Sequence, residues 1–126
     1  MTFDWSGYQF PSRVEFLSVD VDEFSLAALI NFPLRRVRPE FVAYEHNRYW
    51  TGDTYRDPAR AIMADFGYDL LCSDVRLLDR QLGDYVFEDW FVTPGVAKRA
   101  EALRSDDLSW QEICQRAGID TGGRLL

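Results

Sequence analysis

The chain has 126 residues, of which 47% are hydrophobic and 15% aromatic, and its net charge is −7. That length suits one domain burying about two-thirds of its unfolded surface, and that composition excludes a disordered chain. The acidic balance argues against nucleic acid, whose phosphates call for a Lys/Arg surplus, and against an anionic membrane surface.

Residues 1–13 are aromatic and turn-rich, and are predicted to form an arm packed on the body through Phe3, Trp5, Tyr8 and Phe10. Val14–Val19 reads as a short buried strand. A helix follows over Phe24–Ile30, with Leu26, Leu29 and Ile30 as its apolar stripe, Asp22 as N-cap and Glu23 as a first-turn acid. Pro33 ends it, and Leu34–Arg38 is a basic connector. Pro39–Asn47 is a second strand. In DPARAIMADFG, Asp57 caps a helix, Pro58 takes its first position and Gly67 closes it. Tyr68–Cys72 is a third strand, Ser73–Gly83 a polar loop, and Tyr85–Pro94 a fourth strand. A helix from Thr93 and Pro94 through Arg104 comes next. The last helix opens on a capping box, Ser109 with Glu112, and stops at Gly118.

Strands separated by helices imply right-handed crossovers and a parallel sheet. The third and fourth strands have no helix between them, so the fourth is expected to run antiparallel. The whole chain then reads as one α/β domain: arm 1–13, sheet region 14–94, and C-terminal helices 95–126. Two cysteines, Cys72 and Cys114, without a CxxC or Cys/His cluster, predict reduced thiols and no structural zinc site. No apolar run approaches ~18 residues, and the first ten residues lack a basic and apolar leader. A cytoplasmic protein with no membrane span is expected.

Four segments in order, FLSVDVDEFSLAAL, RPEFVAYEHN, FGYDLLCSD and EDWFV, resemble the C-terminal half of FkbM-type S-adenosylmethionine-dependent methyltransferases over Val14 to Pro94. The resemblance implies a partial Rossmann-like, class I methyltransferase-like sheet, mostly parallel with a late antiparallel strand, followed by two C-terminal helices. It also implies that cofactor binding belongs to the other half of the fold, with its Gly-rich turn, which this chain lacks. S-adenosylmethionine is therefore expected only where a partner supplies its site. Glu23 stands where the family has glycine in its acidic turn.

In α/β sheets, functional groups gather beyond the carboxyl ends of the strands. Asp20 and Asp22 follow the first strand, and Glu45, His46 and Asn47 end the second, so neighbouring strands would bring all five to one edge. Two chemistries suit such a set: oxygen ligation of a hard cation, or a general base acting on a hydroxyl. No metal is assigned. The resemblance puts Asp20 and Glu45–Asn47 on the acceptor side of a methyl-transfer cleft, with Asp20, Glu45, His46 and Asn47 as the catalytic candidates. The bland reading gives Asp22 and Glu23 to the start of a helix and makes His46 a satisfied polar residue. A half-sheet also leaves the first strand's edge open, which predicts either a homo-oligomer or a second chain covering it. The rival to a split enzyme is a non-catalytic interaction or regulatory module built on the same fold.

Overall fold

The computed structural model describes residues 4–79, 81 and 83–119. Its centre is a five-stranded sheet in the order β1-β2-β4-β3-β5, formed by β1 (Phe16–Val19), β2 (Phe41–Glu45), β3 (Asp69–Asp79), β4 (Gly83–Val92) and β5 (Ser105–Asp106). β1 and β2 pair in parallel, as do β3 and β5, whereas β4 is antiparallel to both of its neighbours. Four strands thus share one direction, and the late strand β4 alone opposes them, as its helix-free connection to β3 predicts.

Strand alternation sends successive side chains to opposite faces. On one face Val19, Val42, Tyr44 and Phe91 meet Leu29 of α1 (Ser25–Asn31) and Ala59 and Met63 of α3 (Arg56–Asp65). On the other, Cys72, Val75 and Val92 pack with Ala97 of α4 (Pro94–Arg99) and Ile113 of α5 (Trp110–Arg116), and Trp90 lies against this second cluster. Trp90 and Phe91 therefore face opposite sides of β4. Each fully buried aliphatic or aromatic side chain contributes about 1.5–3 kcal/mol, so both layers help hold the sheet.

Several local expectations are corrected. Residues 73–79 belong to β3 and are no loop: Ser73 donates to Asp106, Arg76 pairs with Asp84 and Asp107, and Asp74 is buried. Polar residues read as a loop because the partners that satisfy them lie far away in sequence. Asp22 does not cap α1. It sits at φ 52° inside a 3-10 turn, Asp22–Phe24, where the extended backbone of an N-cap is impossible. The Ser25 hydroxyl instead accepts the Val21 N–H at 3.0 Å. α3 starts at Arg56, one residue ahead of Asp57, leaving Pro58 in its first turn, where no N–H is required. The strand expected over 39–47 is confined to Phe41–Glu45, and the helix expected to reach Arg104 breaks after Arg99 into a 3-10 turn, Glu101–Leu103.

Other signals match. Gly67 takes φ 81° just past α3, where Tyr68 N–H returns to the Met63 carbonyl. The Ser109–Glu112 capping box is formed, and Gly118 ends α5 at φ 78°. In the arm, Trp5 and Phe10 meet Phe32 edge to face, and Arg36 donates to the Trp5 and Tyr8 carbonyls; Phe3 lies outside the described residues. Among the described residues no strand pairs with the outer edge of β1, and no helix is long and apolar enough to cross a membrane.

Candidate functional site

The parallel pairing of β1 with β2 brings Asp20 and Glu45 to the same carboxyl edge. Carboxylate oxygens of Asp20, Asp22 and Glu45 all lie within 4.8 Å of one another. Glu45 stands opposite Glu88 in the β2–β4 register, which adds a fourth acid to this face. Asn47 joins the group as well. It holds the left-handed conformation at φ 52°, which asparagine tolerates, and its amide donates to Glu45 Oε1 at 2.8 Å. None of the four acids pairs with an arginine or lysine of the described residues.

That isolation sets the electrostatics. Burial, a hydrogen bond shared with Asp20 and repulsion from Asp20 and Asp22 push Glu45 up to about 7, against the opposing Asn47 bond. Burial and the charges of Asp20 and Asp89 also raise Glu88 to about 7, although Trp90 Nε1–H donates to it at 2.5 Å. A carboxyl group near 7 can exchange a proton with a substrate at neutral pH. Tyr49 stacks on Tyr85 at 4.5 Å, and Tyr49 and Trp50 are both exposed at the end of the sheet where β2 stops.

His46 is not in this group. It follows Glu45 directly, and alternation turns it to the opposite face, into the α3 layer. There it is 1% exposed, with Nε2 3.3 Å from Asp89 and 3.4 Å from Asp74. Both separations exceed a good hydrogen bond, and Nε2 is buried without a hydrogen-bond partner among the described residues. Nδ1 accepts the Arg48 backbone N–H at 3.1 Å, which assigns the ring proton to Nε2, facing the two carboxylates. A metal-bound histidine has the reverse pattern, donating through its second nitrogen. The His46, Asp74 and Asp89 ligand atoms are close enough for an ion, yet this tautomer and the surrounding arginines make the cluster a salt-bridge network.

The arginines complete that network. Arg60 donates to Asp89 at 2.8 and 3.0 Å and to Asp74 at 3.1 Å, Arg56 reaches Asp74 at 2.9 Å, and Arg48 does so at 3.1 Å. The Asp74 N–H donates to Asp89 at 2.8 Å, which the irregular β3 register and Asp74's φ of 51° make possible. Burial works to raise Asp89, but the His46 and Arg60 contacts overcome it and hold the group down at about 2.

Sequence reasoning missed Asp74, Asp89, Arg56, Arg60 and Glu88. Two signals were present: an acid inside the apolar run VFEDWFV, and arginines at i and i+4 in RDPAR, which share one helix face. No known protein family, curated protein or solved structure matches the chain.

Proposed function

We propose that this chain is the acceptor-side part of an FkbM-like S-adenosylmethionine-dependent methyltransferase, in which Glu45 takes the proton from the acceptor hydroxyl. The observation that carries this reading is Glu45 itself. It is raised to about 7 at the carboxyl edge of the sheet, with Asp20 and Asn47 beside it. A base is most effective when its pKa lies near the working pH, and Glu45 meets that condition. The order of the FkbM-like motifs and the single antiparallel strand support the same reading. Asp20 tunes Glu45 by repulsion, Asn47 orients it, and His46 braces the strand end from the other face.

The described residues of this chain do not build a cofactor cradle. β1 leaves the sheet through Asp20-Val21-Asp22-Glu23, which has no glycine and presents carboxylates. The cofactor's site therefore belongs to another polypeptide segment, and this chain contributes the proton acceptor and the acceptor wall. A second reading, the non-catalytic interaction module, is favoured by one observation: the open β1 edge lies in a region where Phe16, Val21, Phe24 and Ile30 are exposed.

The test uses extract of the source cells depleted of this chain. Labelled methyl transfer from S-adenosylmethionine is expected to fall, to return with the wild-type chain, and to stay low with Glu45→Gln. Restored transfer is expected to rise with pH through about 7, as Glu45 loses its proton. Full restoration by Glu45→Gln, or no loss on depletion, would overturn the enzymatic reading and leave the interaction module.

A further inference from the structure

The amino ends of β1 and β2 hold a second charged region, about 15 Å from the acidic edge at the rise of a strand. An open cleft of about 620 Å³ lies there, lined by Phe10, Arg13, Val14, Arg35, Arg36 and Arg38 among others. This is within the size range of small-molecule sites, about 300–1,000 Å³. Its charge is unusual for a chain of net −7. Glu40 is the one acid lining it, and Arg13 already holds that carboxylate at 2.9 Å.

The remaining arginines differ from others in the protein. Arg48, Arg56, Arg60, Arg76 and Arg104 each pair with carboxylates. Arg36 instead donates to two neutral carbonyls, of Trp5 and Tyr8, and lies 5.6 Å from the Phe10 ring centre. Arg38 donates to the Phe66 carbonyl at 2.6 Å and sits 4.9 Å from the Tyr68 ring centre. These contacts fix both guanidinium groups without cancelling their charge, and leave further N–H donors unused. Arg35 is exposed, and no carboxylate of the described residues is within salt-bridge reach of Arg35, Arg36 or Arg38. Arg35 and Arg36 thus bring two uncancelled positive charges to a cleft with an apolar wall, while the Arg38 head group is held against Phe66 and Tyr68, residues outside the lining.

We infer that this cleft binds a small phosphorylated ligand through Arg35 and Arg36. Guanidinium forks match phosphoryl oxygens in geometry, and a phosphoryl group carries enough negative charge to answer more than one arginine. A single carboxylate would leave one of the two charges unanswered. The inference is independent of the methyltransferase reading, because the cleft lies at the other end of the strands.

Titration calorimetry of the whole chain with pyrophosphate, a nucleoside diphosphate and citrate, at one ionic strength, tests it. Pyrophosphate and the nucleotide are expected to bind, and citrate to bind at least about tenfold more weakly. Arg35→Gln, which breaks no carboxylate contact, is expected to weaken pyrophosphate binding by about five- to tenfold with an unchanged thermal unfolding curve. Lys98→Gln, on α4, is expected to change it by less than about twofold. Tighter binding of the nucleotide than of pyrophosphate would show its base resting on the apolar wall, and equal binding would assign recognition to the phosphoryl groups alone. Absence of binding by all three, citrate binding as tightly as pyrophosphate, or wild-type affinity in both Arg35→Gln and Arg36→Gln would overturn the inference.

Discussion

Glu45 and His46 are neighbours in sequence, yet they belong to two regions with opposite electrostatics. His46 enters a buried network in which Asp74 and Asp89 are answered by Arg48, Arg56 and Arg60. Glu45 enters a half-open group of carboxylates with no cationic partner among the described residues. The first region holds Asp89 down near 2; the second holds Glu45 and Glu88 near 7. Burial alone raises any carboxyl group, so the difference comes from the partners that lower Asp89: His46, between β2 and α2 (Arg48–Thr51), and Arg60 of α3, both on one face only. A network fixed by arginine–carboxylate pairs suits support, and a protonatable one without cationic partners suits chemistry.

The largest test of this contrast is Asp89→Ala. It strips Arg60, His46 and the Asp74 N–H of a shared partner and leaves buried charge unanswered. A loss of about 3–5 kcal/mol is expected in chemical denaturation at pH 7. A loss below about 1 kcal/mol would mean the network is solvated and does not brace the sheet.

Next in size is the acidic face. Glu88→Gln keeps an oxygen for the Trp90 N–H and removes an unpaired charge, so at pH 8 it is expected to stabilise the fold by about 1–2 kcal/mol. At pH 4 the same variant is expected to match the wild type, because Glu88 is then protonated. Destabilisation at pH 8 would show that its charge has a partner.

The pH profile separates the two regions by sign. Asp89 is depressed from its ordinary 3.8, so its contribution is complete above about 4 and is lost as pH falls toward 2. Glu45 and Glu88 are raised from 4.5, so stability is greatest below about 4.5 and declines as pH rises through 7. Unfolding midpoints are therefore expected to fall on both sides of about pH 4–5. The alkaline decline should flatten in Glu45→Gln/Glu88→Gln, and an unchanged slope would assign it to other groups.

The smallest effect belongs to Asp22→Gly. The residue holds φ 52°, which glycine adopts without strain, and its charge repels Glu45. A gain of about 0.5–1 kcal/mol and a lower Glu45 pKa are expected together. A gain without the pKa change would leave Asp22 as a backbone matter only.

Much of the fold was legible in the sequence because local signals set it. Pro58 and Gly67 bracket α3, Ser109 and Glu112 start α5, and the missing helix between the third and fourth strands gives β4 its direction. The length of β3 was not legible, since Ser73, Asp74 and Arg76 are satisfied by residues 8 to 33 positions away. The site was legible by half. Asp20, Glu45 and Asn47 do meet, because strand ends in a parallel pair must coincide. His46 parts from them for a reason equally simple, a period of two carried one residue past the strand. Its partners Asp74 and Asp89 came from β3 and β4, whose register no local pattern specifies.

The most direct measurement of the central contrast is a carboxyl-carbon NMR titration of the intact chain, with Glu45, Glu88 and Asp89 assigned by substitution. The two-region account predicts midpoints near 7 for Glu45 and Glu88 and near 2 for Asp89. Glu45 titrating at its ordinary 4.5, or Asp89 titrating above 4, would contradict it.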